Sequence, residues 1–272
     1  MSIKEKKLKV AFCLHGMSVG LNDKHGGLPV TFQKESDLYK ENILNENIDV
    51  FFHTWSDGQE DLLVETYKPK SYVCEMKKSF VNPTLYWTLK GIYKKLSGLP
   101  VELNRFNNIY SRWYSYRRVF EIQKDYSIKN DINYDFVMIT RFDLSFFNVL
   151  DFSSLCEEKF YVPGWVGYKN SNGENIKEDT FNNSKDRFFK YQRGFPTDDK
   201  MGILDFFFIA SPKVMQMFVD ELENLEALIK ETNNTRTSNH KISLKILDKI
   251  DKISSIEFLM ESGSDFNLTR WT

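Results

Sequence analysis

Short apolar runs alternate with helical patterns along the first half of the chain. The runs contain few polar positions, which is typical of strands that are buried on both faces of a sheet. The patterns between them repeat apolar residues at steps of three and four, as amphipathic helices do. This β-α-β-α-β order predicts a parallel sheet with helices on both faces. The predicted strands lie at 8–14, 48–53, 71–75, 135–140, 159–163 and 205–210.

The sequence pattern that predicts a helix is clearer in some segments than in others. The clearest lies at 107–126, and another begins at Ser211-Pro212, because Ser caps helix starts and Pro fits the first turn. The pattern at 83–97 combines lysines and aromatic rings with an apolar face. It leaves two alternatives open, a core helix with a solvated lysine side or a contact with membrane headgroups. The remaining helices are predicted at 30–45, 62–67 and 241–247, the last capped by Ser238, and the helix from Ser211 extends to 229.

Composition is typical of a soluble globular protein. Hydrophobic residues occupy 41% of the 272 positions and charged residues 28%, and this length allows one large domain or two small ones. Lys and Arg number 37 against 38 Asp and Glu, so no basic field argues for a nucleic-acid partner. Aromatic residues reach 15%, and besides filling a core some of them can line a pocket for a ring-shaped ligand.

The cysteines and the amino terminus bear on the compartment. Cys13, Cys74 and Cys156 lie far apart and form neither a zinc pattern nor a disulfide framework, which fits a reducing cytoplasm. The basic stretch 1–9 is followed by an apolar run that is too short for a signal peptide or a membrane span. We therefore expect a cytoplasmic protein.

Charged side chains at two strand ends are the main candidates for chemistry. Arg141 and Asp143 directly follow the run at 135–140, and Asp205 begins the run at 205–210. A buried charge is costly unless it meets a partner, a metal or a ligand, and open α/β sheets bind ligands at the carboxyl ends of their strands. An Arg–Asp pair that caps the strand is the plain alternative. Two carboxylates from strand ends can instead meet across one cleft, as a metal site or an acid–base pair, and this favours a catalytic interpretation.

The loops carry weaker signals. The loop after the first strand begins at His15-Gly16 and contains further glycines, but it lacks both the dinucleotide fingerprint and the phosphate-loop motif. A plain strand-to-helix connection explains it equally well. The stretch at about 168–200 is long and polar, and we predict a flexible loop there that becomes ordered when a ligand binds.

Five stretches of the chain resemble a family of bacterial glycosyltransferases, the small GT-A-type transferases encoded with capsule and lipopolysaccharide genes. The most specific stretch is Tyr134–Leu144, YDFVMITRFDL, and the next is Asp49–Trp55, which ends in His53-Thr54-Trp55 after a buried strand. The resemblance implies a single GT-A-like, Rossmann-like α/β domain over 1–272, with a mostly parallel central sheet flanked by helices. The other stretches are Val10–Gly16, Asp205–Met215 and Phe266–Arg270.

The resemblance also implies the reaction. A sugar would pass from a nucleotide-diphosphate sugar to a hydroxyl of a growing capsular or lipopolysaccharide glycan, or of a lipid-linked glycan. GT-A enzymes hold Mn²⁺ or Mg²⁺ on the diphosphate with an Asp-x-Asp triplet, and the matching triplet here is Arg141-Phe142-Asp143. Asp143 would then bind the metal and Arg141 would help to bind the diphosphate. Because Arg replaces the first acid, strict metal dependence does not follow.

Roles for the remaining candidates depend on stereochemistry, which the sequence leaves open. An inverting enzyme needs a base for the acceptor hydroxyl, and Asp205 is the first candidate, followed by Asp198 and Asp199. A retaining enzyme needs no such base, and Asp205 would then hold the sugar or the acceptor. Candidates for contact with the nucleotide are His15, Gly16, His53, Thr54 and Trp55, together with Arg270 if the carboxyl terminus folds back over the site.

Two other functions stay open. One is a nucleotidyl- or phosphoryl-type transferase that decorates a polysaccharide, although no phosphate loop supports it. The other is a non-catalytic partner in glycan assembly, in which Arg141 marks a degenerate site. For the leading function we expect a cytoplasmic enzyme, and a position at the inner face of the cytoplasmic membrane, with peripheral membrane contact, is an open alternative.

Overall fold

Eleven strands and six helices make up the computed structural model, which describes residues 8–19, 32–56, 58–80, 96, 103–165, 168–169, 175–176, 202–232 and 238–268. The strands are β1 (Val10–Gly16), β2 (Ile48–Trp55), β3 (Ser71–Glu75), β4 (Phe136–Arg141), β5 (Leu144–Phe146), β6 (Phe160–Trp165), β7 (Tyr168–Lys169), β8 (Asn175–Ile176), β9 (Phe208–Ala210), β10 (Ile256–Ser262) and β11 (Phe266–Leu268). The helices are α1 (Phe32–Asn42), α2 (Glu60–Tyr67), α3 (Leu103–Asn130), α4 (Pro212–Glu221), α5 (Leu225–Glu231) and α6 (Asn239–Lys249).

Nine of these strands form one sheet in the order β3-β2-β1-β4-β9-β6-β10-β11-β5. Strands β3, β2, β1 and β4 run parallel, and β9 is antiparallel to both of its neighbours, β4 and β6. Strand β10 is parallel to β6 and to β11, and β5 is the antiparallel edge strand. The prediction of an α/β fold with a mostly parallel sheet flanked by helices is confirmed.

Helices cover both faces of the sheet, which explains the unbroken apolar runs. Alternate side chains of β1, β2 and β4 pack against α3 and the helices near it, and the intervening ones pack against α1 and α2. Phe51 and Phe52 are neighbours on β2 that lie in opposite cores, and both are 0% exposed. Burying such a side chain contributes about 1.5–3 kcal/mol. The side chains on both faces of each strand therefore stabilise the fold.

Several predicted boundaries differ from the structure. The strand predicted at 205–210 is regular only in β9, because Asp205 leaves the ladder to meet charged partners described below. The helix predicted to run from Ser211 to 229 is divided into α4 and α5 by a 3-10 turn over Leu222–Asn224. A 3-10 turn changes the helical phase, and it leaves Leu222 and Leu225 both buried.

The caps of two helices can be compared with their predictions. Ser238 precedes α6, and its hydroxyl accepts a hydrogen bond from the Lys241 amide, as predicted. Pro212 occupies the first turn of α4, also as predicted, but the Ser211 side chain makes no capping hydrogen bond.

Two predicted segments lie largely outside the described residues. The helix at 83–97 does so apart from Leu96, and the loop at 168–200 does so apart from β7 and β8, which pair as a separate two-stranded antiparallel sheet. Strands β10 and β11 were not predicted as strands. The pairing of β10 is irregular between Phe258 and Glu261, which hides the alternation that identifies a strand.

Candidate functional site

The carboxyl ends of β1 and β4 form the edge at which the topology places a ligand. Strands β2 and β3, which follow β1 in the chain, lie on one side of β1 in the sheet, and the later strand β4 lies on its other side. Open α/β sheets bind ligands in the crevice at such a switch point. His15, His53 and Arg141 form one row there, because His15 pairs with Arg141 of β4 and with His53 of β2.

Arg141 and Asp143 form a two-pronged salt bridge at this edge. Nε of Arg141 donates to Oδ1 of Asp143 and Nη2 donates to Oδ2, each over 2.6 Å. Phe142 between them is buried in the core on the opposite face. The arrangement is the strand-end pair that the plain alternative predicted. It also fixes the orientation of the guanidinium group, since both ends of the pair are held.

The donor set at this edge does not fit a resident divalent cation. Arg141 occupies both oxygens of Asp143, whereas Mg²⁺ needs several oxygen ligands. Within the described residues no group of three or more His, Cys, Asp and Glu side chains is placed to hold a metal ion. The Mn²⁺ or Mg²⁺ expected from the resemblance therefore has no support from the ligands at Asp143.

Asp205 lies at the same edge, in a second group of charges. Strand β9 is antiparallel to β4, so the residues before β9 lie beside the carboxyl end of β4, and the Thr140 hydroxyl is 3.5 Å from the Phe206 carbonyl oxygen. Oδ2 of Asp205 is 3.0 Å from Nη2 of Arg112 on α3, and Oδ1 is 3.0 Å from Nδ1 of His240 on α6.

The surroundings of Asp205 decide what its carboxylate can do. The residue is 4% exposed, and burial by itself would raise its pKa. Arg112 and then His240 outweigh burial, with a smaller contribution from Arg141, and the pKa of Asp205 lies well below its ordinary value. Such a carboxylate is a weak proton acceptor, so the prediction that Asp205 is the base is disfavoured.

His240 was not among the predicted site residues, and the structure places it beside Asp205. Its Nδ1 is 3.0 Å from both Oδ1 of Asp205 and the carbonyl oxygen of Ile203. Because both neighbours are acceptors, Nδ1 carries the proton and Nε2 has the lone pair. Burial by itself would lower the pKa of His240, but the Asp205 carboxylate outweighs it, and the pKa is raised. The side chain is 32% exposed.

His15 and Gly16 end β1 at this edge of the sheet. His15 is 3% exposed, and its Nδ1 has no hydrogen-bond partner among the described residues. Burial, followed by the charges of Arg112 and Arg141, lowers the pKa of His15 well below its ordinary value, so the ring is neutral. The amide of Gly16 donates to the Ser115 hydroxyl on α3 over 2.9 Å.

A second polar cluster lies at the ends of β2 and β3, around Glu75. This carboxylate accepts hydrogen bonds from the Tyr114 hydroxyl and from Lys78 and lies 3.4 Å from Nε of Arg118. Oε1 of Glu75 is 3.5 Å from Nε2 of His53. Burial by itself would raise the pKa of Glu75, but Lys78 and Tyr114 outweigh it and lower the pKa to about 2.

The residues of β2 that were predicted to contact a nucleotide make their contacts with other residues of the protein. Nδ1 of His53 is 2.6 Å from the Ser115 hydroxyl, and burial lowers the pKa of His53 to about 4. The Thr54 hydroxyl donates to the Gly16 carbonyl oxygen, and Trp55 stacks on Tyr114 with ring centroids 5.7 Å apart.

The structure brings five of the predicted residues to one edge of the sheet: His15, His53, Arg141, Asp143 and Asp205. Arg141 joins the two carboxylates, since it pairs with Asp143 and also lowers the pKa of Asp205. Sequence reasoning missed Arg112 and His240, and it proposed His53 as a nucleotide contact, whereas the structure shows Nδ1 of His53 beside the Ser115 hydroxyl. The remaining predicted residues, Asp198, Asp199 and Arg270, lie outside the described residues.

Among the described helices none has an apolar stretch of the length needed to cross a membrane. Comparison with protein-family models found no match, and comparison with curated proteins found none either.

Proposed function

We propose that the protein is a glycosyltransferase with a GT-A-like, Rossmann-like domain, and that it transfers a sugar from a nucleotide-diphosphate sugar to a hydroxyl of a capsular or lipopolysaccharide glycan. The observation that carries the proposal is the held guanidinium group of Arg141 at the switch point of the sheet, with Arg112 nearby. The stretches with the family resemblance support it, because four of them contain β1, β2, β4 and the segment before β9.

Arg141 is suited to a diphosphate because only part of its hydrogen-bonding capacity is used. A guanidinium group has five N–H donors, and Asp143 takes one from Nε and one from Nη2. Asp143 thus positions the group, and the other three donors, which make no hydrogen bond to a described residue, can bind phosphate oxygens. The leaving diphosphate gains negative charge as the glycosidic bond breaks, so a preorganised cation stabilises the transition state more than the bound donor.

The rest of the crevice supports this arrangement. Neutral His15 can donate or accept a hydrogen bond without adding charge, and its unpartnered Nδ1 is a buried polar atom that a ligand would satisfy. In this proposal guanidinium groups supply the positive charge at the diphosphate. The acceptor is a glycan or a lipid-linked glycan, and the enzyme acts at the inner face of the cytoplasmic membrane.

A nucleotide panel tests the function. The full chain is mixed with UDP, GDP and TDP in thermal-shift assays, and with their common sugar derivatives in hydrolysis assays, each with and without Mn²⁺. We expect one nucleotide to raise the melting temperature and its sugar derivative to be cleaved slowly to a nucleotide and a free sugar. Because Arg141 would bind the diphosphate, Arg141→Gln should lose most of the shift.

The control and the contrary outcomes are specific. Arg117→Gln changes an Arg on α3 that pairs with Glu121 and is 40% exposed, so it should keep the nucleotide shift. Release of a nucleoside monophosphate from a diphosphate sugar would indicate a nucleotidyl-type transferase instead. Absence of any nucleotide shift would indicate a non-catalytic partner in glycan assembly.

A further inference from the structure

We propose that His240 is the general base that takes the proton of the acceptor hydroxyl, with Asp205 as its positioning residue, and that the transfer therefore inverts the anomeric configuration. This inference rests on the proposed function and assigns roles that differ from the sequence-based prediction, in which Asp205 itself was the base. It stands on the contacts between α3, α6 and the segment before β9.

The first step of the argument is the hydrogen-bond pattern around the imidazole. Nδ1 of His240 has two acceptors at 3.0 Å, the Asp205 carboxylate and the Ile203 carbonyl oxygen. Nδ1 must therefore carry a proton, and the lone pair lies on Nε2. The structure shows no hydrogen bond from Nε2 to a described residue. An imidazole held by a carboxylate at Nδ1 with Nε2 available is the arrangement that general-base histidines use.

The second step is the position of the pair relative to the crevice. Asp205 precedes β9, which runs antiparallel to β4, so the pair lies at the edge where Arg141 ends β4. Arg112 and Asp205 both influence the pKa of His15 at the end of β1. The base is therefore at the same edge as the group that would bind the leaving diphosphate.

The third step compares the two candidates for the proton. Asp205 is held by Arg112 and His240 and is 4% exposed, so its carboxylate keeps its charge and has little tendency to accept a proton. His240 is more exposed and faces an anion, which favours the protonated imidazolium that a base must become. The charged groups that influence the pKa of His240 are Asp205 from the segment before β9 and Arg112 from α3. Arg141 of β4 in turn lowers the pKa of Asp205.

The chemical step balances with these groups alone. The acceptor oxygen forms a bond to the anomeric carbon of the donor sugar, and the bond from that carbon to the phosphate oxygen breaks. The bonding electron pair leaves with the nucleoside diphosphate, beside Arg141. The hydroxyl proton passes to Nε2 of His240. Attack and departure on opposite faces of the carbon invert its configuration.

The competing explanation is that His240 has a structural role only and connects α6 to the segment before β9. That role needs only the N–H donor at Nδ1, together with the hydrogen bond from the Ile203 amide to the His240 carbonyl oxygen at 3.1 Å. His240→Asn separates the two roles, because its amide nitrogen takes the place of Nδ1 whereas nothing replaces Nε2. The variant should therefore keep the fold and nucleotide binding.

Methanol as a surrogate acceptor measures the reaction, since a methyl glycoside does not interconvert its anomers. The donor is the nucleotide-sugar that the wild-type chain hydrolyses in the panel. We expect His240→Asn to lower methyl glycoside formation by ~10²–10⁴-fold with an unchanged nucleotide thermal shift. The wild-type rate should rise with pH through a pKa above 6.5, and this dependence should be absent in the variant. The product should have the configuration opposite to that of the donor.

Two results would overturn the inference while leaving the proposed function intact, namely full methyl glycoside formation by a folded His240→Asn protein, or a product with retained configuration. Absence of donor cleavage by the wild-type chain would instead refute the proposed function and, with it, the role of the base.

Histidine NMR on the full chain tests the pair without any donor. The chain has four histidines, so the imidazole signals of His240 are identified by their loss in His240→Asn. We expect the neutral ring to carry its proton on Nδ1, and Asp205→Asn to lower its pKa. A proton on Nε2, or a pKa that Asp205→Asn leaves unchanged, would refute the pairing.

Discussion

Replacing Asp205 by Asn should destabilise the protein strongly. The carboxylate is 4% exposed and is the counter-charge of Arg112, whose side chain is 13% exposed. Removing one member of a buried ion pair leaves the other charge uncompensated and typically costs 3–5 kcal/mol. The amide oxygen of Asn can still accept one hydrogen bond, so we expect a loss of about 3 kcal/mol, at the lower end of that range. For a chain of this size this corresponds to a fall in melting temperature of roughly 6–12 °C.

Urea unfolding followed by circular dichroism and by the fluorescence of the five tryptophans provides the assay. Asp220→Asn is the matched control, because Asp220 is an exposed residue of α4 that contacts Gln216. The control should change the free energy of unfolding by less than ~0.5 kcal/mol. A loss below about 1 kcal/mol for Asp205→Asn would refute the buried-pair reasoning.

The pH dependence of the same variant adds an independent check. The pKa of His240 is raised by Asp205 in the folded protein, so this interaction stabilises the fold fully below the unfolded pKa of about 6.5 and is lost as the pH rises through the folded pKa. Asp205 has a lowered pKa and stays ionised throughout this range. The stability difference between wild type and Asp205→Asn should therefore grow as the pH falls from 8 to 5. A difference that shrinks on acidification would contradict the assigned pair.

Three further predictions concern other parts of the crevice. Burial lowers the pKa of His53 from 6.5 to about 4, so on acidification the unfolded chain binds a proton at a higher pH than the folded protein does. His53 should therefore lower the free energy of unfolding by about 3 kcal/mol as the pH falls through that interval. His53→Asn should remove this part of the pH dependence of stability in urea unfolding. Arg141→Lys loses the planar fork on Asp143 and should weaken nucleoside diphosphate binding at least ~10-fold by calorimetry, whereas Arg117→Lys should not. Gly16→Ala should cost about 1–3 kcal/mol in urea unfolding, because Gly16 has φ +102° with open space at its Cβ; a neutral result would show that the backbone relaxes there.

Three parallel strands, β1, β2 and β4, could be predicted from the sequence because their signal is local. Strands β1, β2 and β4 are buried on both faces, so each has a nearly unbroken apolar run that needs no knowledge of its neighbours. Strands β10 and β11 are different, since β10 is only partly buried and its ladder is irregular. Their identity as strands depends on pairing partners that are far away in the chain.

Arg141 and Asp143 illustrate what the sequence determines about the site. They are two residues apart at the end of a strand, and their proximity to each other and to the ligand edge follows from local geometry alone. The direction of β9 does not follow from local sequence, because the pairing of an antiparallel strand with β4 is a property of the whole sheet. That direction brings Asp205 to the same edge.

Arg112 and His240 show what only the tertiary structure decided. Arg112 is 93 residues from Asp205, and each is one polar residue among many at a helix surface, with no motif around it. Packing of α3 against the sheet, and of α6 against α4 and α5, places both beside one buried carboxylate. That carboxylate, which the sequence presents as a free acid, is thereby held ionised and becomes the partner of a histidine. The physical reason is that a pKa and a hydrogen-bond role depend on neighbours in space, whereas burial on both faces leaves its pattern in the chain itself.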